Sequence, residues 1–471
     1  MFFSFLYLPF FPMYSYDNNI NRIFATTMFI FNSYKLLECW KVEKESNHKL
    51  VERLAKLLDG SSNNSATAAG DPGEDTATTN TGYGSTMESL PLSNNEKQQQ
   101  SLELGLLLSY PELARRGLGI YSVFVEIGIA CMQFGVCLTY LIFVPSNLEA
   151  CIANIVGDDD GNGIYDGYVP SKTVLMWMMI VIEIPLSWIR DIRKLTPTNV
   201  AASLLIAFGL ASVLLIAFEV GFRTTILLND DGSVEKTSLV FIENLKAMEP
   251  ITESWLVFVG TSFFMMEGSI TLIVPLQEAV YADSDRAQFP DMNRNVTTWI
   301  CGFYIVFSLI ASAAFGENIQ TALTASLTGT LATIVQFAYS IAVILTFPLQ
   351  AFPAMEVLMR FVMGETNTKT TMDPWKHNVF TSTVTILLGV IAVVAIDYLG
   401  NVVSILGSLF GIPLALIFPP LMHNNLVVQK DPSRSQSFEP KLNYAVVVVG
   451  IVATFVASYN TLVTWNEGAE G

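Results

Sequence analysis

Long apolar runs alternate with short polar loops from residue 118 almost to the end of the chain. Each run approaches the roughly 20 residues that a helix needs to cross the hydrocarbon core of a bilayer. The pattern predicts nine membrane spans and therefore an all-α polytopic membrane protein. The nine runs are residues 118–143, 173–189, 198–221, 254–280, 296–315, 327–347, 379–399, 401–421 and 442–463.

The part of the chain before these runs has a different character. Residues 22–40 are only weakly hydrophobic, and residues 1–16 are aromatic-rich but interrupted by Pro9 and Pro12. Residues 57–100 are rich in small polar residues and poor in aromatic ones, a composition typical of disorder. We divide the chain into weak or incomplete spans (1–41), a cytosolic linker (42–102), a transmembrane domain (103–465) and a short tail (466–471).

Composition and charge narrow the class of protein. The chain is 51% hydrophobic and 14% charged, whereas soluble domains contain about 25% charged residues. A net charge of −17 argues against a nucleic-acid partner, which requires clustered cations. No nucleotide loop, nucleophile elbow or zinc helix is found, so we expect neither an enzyme nor a cofactor. The three histidines lie outside the apolar cores, so we expect no histidine-based metal site: His48, His377 and His423.

The distribution of Lys and Arg predicts the orientation in the membrane. The loop after the run 173–189 contains Arg190, Arg193 and Lys194. By contrast, residues 146–171 contain five acidic residues and neither Lys nor Arg. We therefore place the linker and the basic loop in the cytosol, and residues 146–171 outside or in a lumen.

A polar stripe follows the first apolar run. Glu126, Gln133 and Tyr140 recur every seven residues, close to two helical turns, so they share one helix face. Unpaired polar groups are costly in lipid, so this face must contact protein or water. Two interpretations remain open: interhelical hydrogen bonding, or the lining of a solute path.

Other features within the runs have structural interpretations. Gly407 and Gly411 in "GSLFG" have the small-xxx-small spacing that suits close helix contact. Three carboxylates lie in or at the ends of apolar runs: Glu183, Glu219 and Asp397. Glu219 and Asp397 are close enough to the ends of their runs to reach lipid headgroups. Glu183 has Arg190, on the basic side of the membrane, as a candidate partner.

The segment "SFFMMEGSITLIVPLQEAV" places Glu267 and Gly268 at the middle of a membrane run. A carboxylate there costs about 2.5–3.5 kcal/mol on insertion scales, and the glycine adds about 1 kcal/mol relative to alanine. Both penalties shrink if the helix is interrupted and its free backbone groups bind a solute. We therefore predict a site-forming break; a kinked packing helix is the alternative.

Four segments, in order, resemble the amino acid/auxin permease family. They are "VEIGIACMQFGVCLTYLIFVPSNL" (125–148), "PLSWIRDIRKLTPTNVAASLLIAFGL" (185–210), "FVGTSFFMMEGSITLIVPLQEAV" (258–280) and "YSIAVILTFPLQAFPAMEVL" (339–358). They are similar to the family's third span, its turn from the fourth to the fifth span, its sixth span and its eighth. The vacuolar and proton-coupled amino acid transporter branches are the most similar.

This resemblance implies eleven spans in a leucine-transporter-like architecture, with two inverted five-helix repeats plus one extra helix. The family's first and sixth spans are broken at the substrate. The implied substrate-binding residues are Met266, Glu267, Gly268, Ser269, Gln133 and Tyr140, and the candidates for a coupling or structural role are Glu126 and Tyr339.

The resemblance also implies a function. We expect a secondary active transporter that moves small neutral amino acids by alternating access with protons, in a vacuolar or lysosomal-type membrane or the plasma membrane. The family's first span carries a glycine-rich element, of which residues 6–9 match only the end. Either the start is truncated or half of the site is lost. A non-transporting amino acid sensor is therefore the alternative, and a channel is less favoured.

Overall fold

The computed structural model describes residues 16–65, 108–156, 169–189, 195–228, 234–247, 255–280, 282–316, 323–363 and 373–465. Glu267 is described by its backbone alone. Some predictions concern residues outside these ranges: 1–15, most of the linker (66–102), the start of the transmembrane domain (103–107), part of the acidic loop (157–168), Arg190, Arg193, Lys194 and the tail 466–471.

Helices dominate the described part of the chain. They are α1 (Tyr16–Ser65), α2 (Tyr110–Leu118), α3 (Ser122–Val156), α4 (Lys172–Ser187), α5 (Thr196–Gly221), α6 (Val240–Ala247), α7 (Trp255–Ala279), α8 (Asp283–Phe315), α9 (Thr330–Met363), α10 (Pro374–Val394), α11 (Leu399–Leu406), α12 (Phe418–His423), α13 (Pro432–Ser435) and α14 (Glu439–Val463). A two-stranded antiparallel hairpin, β1 (Thr224–Leu228) and β2 (Val234–Leu239), follows α5. Short 3₁₀ turns occur at Gly119–Tyr121 and Leu323–Ser326.

Eight helical stretches among the described residues are long and apolar enough to cross a membrane. They correspond to eight of the nine predicted spans and confirm an all-α polytopic membrane protein. The ninth, α4, is helical but only 16 residues long, shorter than the roughly 20 residues of a typical span. The predicted neighbours 379–399 and 401–421 are separate helices, α10 and α11, and each belongs to a stretch of spanning length.

Helix α1 runs for 50 residues and ends at Ser65, beyond residue 57, where we predicted a disordered linker to begin. The helix continues because residues 49–58 are mainly Leu, Lys, Glu, Arg and Ala, which all favour helix. The helix packs against α7, α8 and α12, and its buried side chains include Phe29, Asn32 and Lys35. Its weak hydrophobicity follows from contact with protein rather than lipid.

Residues 399–428 form one helical stretch with three π-helical turns, which we call the π-helical segment. The turns are Gly407–Gly411, Pro413–Ile417 and Asn424–Val428. Three prolines, at 413, 419 and 420, remove backbone donors from this stretch, which disfavours a regular α-helix. Wider turns of this kind are frequent at functional sites.

The π-helical segment lies between α3 and α7. On one side, a Cβ added to Gly135 of α3 would be 2.6 Å from the Leu406 side chain. On the other side, Gly407 packs directly on the backbone of α7 at Gly260, and Gly411 faces Phe263. The small-xxx-small contact predicted from "GSLFG" is therefore confirmed.

Candidate functional site

Helix α7 carries half of the predicted site and is continuous. It runs from Trp255 to Ala279 through Glu267, Gly268 and Ser269, so the predicted break is wrong for this structure. One glycine costs a helix only about 1 kcal/mol relative to alanine, and the preceding turn is buried from Phe263 to Met266. Packing therefore retains the helix. Met266 is buried and Gly268 and Ser269 are half-buried, whereas the side chain of Glu267 lies outside the description.

The polar stripe of α3 faces the interior of the bundle. Glu126, Gln133 and Tyr140 are all buried, as expected for a face that contacts protein rather than lipid. The Glu126 carboxylate accepts a hydrogen bond from Arg115 Nε of α2 at 2.9 Å. This ion pair supports the structural role for Glu126; for Gln133 and Tyr140 both interpretations remain predictions.

Tyr339 of α9 joins two helices. Its side chain is fully buried, and its ring packs where a Cβ on Gly209 of α5 would stand. Its hydroxyl donates a hydrogen bond to the Ile206 carbonyl at 3.4 Å. Of the two roles open to Tyr339, these contacts support the structural one.

The two halves of the predicted site lie on helices that pack mainly on other elements. Among the described residues, α3 packs mainly on α9, α4, α10 and α11, whereas α7 packs on α1, α11, α14 and the first π-helical turn. The π-helical segment contacts α3 at Gly135 and α7 at Gly260 and Phe263. The proposed substrate-binding set therefore stays a prediction.

Serine and threonine hydroxyl groups link the π-helical segment to α7 and α14 by hydrogen bonds. Ser404 Oγ donates to the Val257 carbonyl of α7 at 2.6 Å and lies 2.8 Å from Thr461 Oγ1 of α14. One turn further on, Ser458 Oγ donates to Ser408 Oγ at 2.8 Å. Sequence analysis missed these residues because isolated hydroxyls in apolar runs give no periodic signal.

A charged cluster surrounds His423 at the end of the bundle that we predict to be cytosolic. His423 is fully buried, contrary to its predicted position outside the apolar cores, because the helical stretch continues to Val428. Its Nε2 lies 2.9 Å from a Glu38 carboxylate oxygen and 3.9 Å from one of Glu439. Asn443 Nδ2 lies 3.0 Å from His423 Nδ1. Both ring nitrogens of His423 therefore have a polar partner, the Glu38 carboxylate at Nε2 and the Asn443 amide at Nδ1.

This cluster contains three donors close enough for a metal ion, from Glu38, His423 and Glu439. Both carboxylates already have cationic partners, however: Arg434 hydrogen-bonds to Glu38, and Lys35 to Glu439. The bond to Glu38 also raises the pKa of the Arg434 guanidinium. A metal ion would compete with both cations for these carboxylates, so we interpret the cluster as an ion-pair network.

A second network ties α1 to neighbouring elements at the same end. The buried Glu43 accepts from Arg116 of α2 at 3.2 Å and from Lys430 at 2.7 Å. Lys44, next along α1, pairs with Glu278 near the end of α7. These contacts hold α1, α2, α7 and the end of the π-helical segment together.

The three carboxylates with structural interpretations differ in their environments. Asp397 pairs with Lys172 at 3.5 Å and Glu219 with Arg223 at 2.9 Å, and all four side chains are at least partly exposed. These ion pairs support a structural interpretation for both carboxylates. Glu183 is fully buried, and its suggested partner Arg190 lies outside the described residues.

Comparisons with known proteins identify the family. The family described as "Transmembrane amino acid transporter protein" matches residues 102–463. The chain is 28% identical to Vacuolar amino acid transporter 3 of Saccharomyces cerevisiae over 346 residues, which are 72% of this chain and 45% of that protein. It is likewise 28% identical over 375 residues to Vacuolar amino acid transporter 4 of the same yeast, covering 74% and 49%.

A plant relative is matched over more of its own length. Amino acid transporter ANT1 of Arabidopsis thaliana is 21% identical over 369 residues, 75% of this chain and 77% of that protein. The chain spans about half the length of the yeast relatives. Because the family match covers well over half of the sequence, this chain belongs to the transmembrane amino acid transporter family.

Proposed function

We propose that this protein is a secondary active transporter that moves small neutral amino acids across a vacuolar-type membrane by alternating access, together with protons. The observation that carries the proposal is the family match over residues 102–463. The names of the yeast relatives, both vacuolar amino acid transporters, support the amino acid substrate class and the vacuole. The leucine-transporter-like repeats remain part of the proposal.

We place the substrate site within the bundle, between α3 and α7. Alternating access requires an element that rearranges between two packed halves. The π-helical segment has irregular turns and lies between α3 and α7, so it is our candidate for that element. Its movement would open space between the Gln133–Tyr140 face and the Met266–Ser269 turn, where we place the substrate.

Uptake and binding by purified protein test this proposal. The full chain is reconstituted into liposomes, and uptake of radiolabelled alanine, proline and glutamate is measured with and without an imposed pH gradient. We expect gradient-stimulated accumulation of the neutral amino acids and little of glutamate. Binding without accumulation would replace the transporter with the sensor, and folded protein that neither binds nor accumulates amino acids would contradict both.

A further inference from the structure

Glu183 is turned away from lipid. It lies on α4, one helical turn before Ser187, and its side chain is fully buried. The two residues before it, Val181 and Ile182, are exposed on the outer surface of the bundle. Helix α4 packs against α3, α9 and α10, so Glu183 points into the protein between these helices.

The Glu183 carboxyl group has no hydrogen-bond partner among the described residues, at either oxygen. Burial without a donor or a cation strongly disfavours the ionised form of a carboxyl group. The surroundings of Glu183 among the described residues therefore favour the neutral, protonated form of its carboxyl group.

Among the described residues, no cationic side chain on the helices that pack around Glu183 forms an ion pair with it. On α3, the group within electrostatic range is the Cys137 thiol. On α10, the buried hydroxyls of Thr381 and Thr385 donate to carbonyls of their own helix. None of the charged or titratable residues near the adjoining helix ends forms an ion pair with Glu183. They are Asp373, Lys376 and His377 at the start of α10 and Glu356 and Arg360 of α9.

Glu183 differs in this respect from other carboxylates in or near the spans. Glu126, Glu278 and Asp397 all have a cationic partner within the described residues. A nearby cation favours the charged form of a carboxyl group. Glu183 has no such partner there, so its charge can change when its surroundings change.

A small cavity lies one turn beyond Glu183. It has a volume of about 30 Å³ and is lined by residues of α9 and α10 and by Ser187 and Ile189, among them Glu356, His377 and Thr381. A water molecule needs about 10–15 Å³ of such volume. Ser187 is four residues after Glu183, on the same helix face. The cavity is at the end of α4 that leads into the basic loop, on the predicted cytosolic side.

We propose that Glu183 is the proton-binding site that couples transport to the proton gradient. It is protonated in the conformation described here and releases its proton through the cavity between α4, α9 and α10 when water reaches it. The step is a reversible transfer of one proton between the carboxyl group and water. This inference rests on the proposed function and adds the residue that carries the coupling ion.

Two transport assays on Glu183→Gln, which mimics the protonated acid, test the proposal. We expect gradient-driven accumulation of the amino acid to fall about tenfold or more, because amino acid movement is no longer coupled to proton movement. Exchange of labelled for unlabelled substrate without a gradient is expected to persist and to lose its pH dependence. Glu219→Gln is the matched control, because its exposed ion pair predicts wild-type behaviour in both assays. Wild-type accumulation by Glu183→Gln would overturn the proposal.

Infrared difference spectroscopy tests the protonation of Glu183 without relying on transport. Wild-type protein at neutral pH is expected to show a protonated carboxyl band that Glu183→Gln lacks. If the band is missing and Arg190→Gln reproduces the transport defect, Glu183 is a structural ion-pair partner and the inference fails. If the wild type shows the band but never accumulates substrate, the proposed function fails, and with it the coupling role. Glu183→Asp, which keeps a titratable group, is expected to retain accumulation with a shifted pH dependence.

Discussion

Gly407 and Gly260 are in direct backbone contact between the π-helical segment and α7. A methyl group added to Gly407 would overlap the carbonyl oxygen of Gly260, and one added to Gly260 would overlap the carbonyl oxygen of Ser404. Only glycine permits so close an approach of two helices. This contact sets the distance between the two elements that we propose to move past each other.

Gly407→Ala tests this contact. A backbone oxygen cannot move aside without shifting its helix, so we expect a loss of about 1–3 kcal/mol in stability, as in other overpacked interiors. The thermal unfolding midpoint of the protein in detergent is the measurement. The control is Gly302→Ala in α8, where an added Cβ would meet no atom within 4 Å. Equal midpoints for the two variants would contradict the packing described here.

Tyr339 is expected to act through its ring rather than its hydroxyl. Tyr339→Phe loses one long hydrogen bond, so we expect a change of about 0.5–1.5 kcal/mol in stability and unchanged uptake. Tyr339→Ala removes a fully buried ring and is expected to cost about 3–5 kcal/mol. Loss of gradient-driven uptake by a stable Tyr339→Phe would instead give the hydroxyl a coupling role.

The Arg115–Glu126 pair is expected to stabilise the junction between α2 and α3. Glu126 is buried whereas Arg115 is partly exposed, so we expect a coupling energy of about 1 kcal/mol, between the values for exposed and buried pairs. A double-mutant cycle with Arg115→Gln and Glu126→Gln measures it. The exposed Glu219–Arg223 pair is the reference, with an expected coupling of about 0.5 kcal/mol or less. If the effects of the two Arg115 and Glu126 substitutions on stability are additive, this pair contributes no coupling energy and the prediction is wrong.

The His423 cluster is expected to stabilise the protein without a metal ion. His423→Leu leaves Asn443 without its ring partner and removes a donor from Glu38, so we expect a loss of about 1–3 kcal/mol. His48→Leu, at an exposed position, is the control. Added Zn²⁺ is expected not to raise the unfolding midpoint, because Lys35 and Arg434 already hold the carboxylates. A zinc-dependent rise that His423→Leu abolishes would identify a metal site.

Hydrophobic runs and short motifs predicted the spans and the Gly407 contact because both depend on local sequence. The continuity of α7 was not predictable from Glu267 and Gly268, since the packing that retains the helix comes from distant segments. The sequence did not show which side of α4 is buried, because this helix is apolar on all sides. The burial of Glu183 next to outward-facing residues such as Val181 was therefore not predictable. The burial of His423 depends on a helix that continues past the apolar run.

Amino-acid-evoked proton flux tests the central claim most directly. Liposomes that contain the full chain and an internal pH-sensitive dye receive alanine on one side, with no pH gradient imposed. We predict that alanine acidifies the interior as protons enter with it, that a protonophore abolishes the signal, and that liposomes with Glu183→Gln give none. Uptake of labelled alanine by the wild-type protein without any change in internal pH would contradict proton-coupled transport.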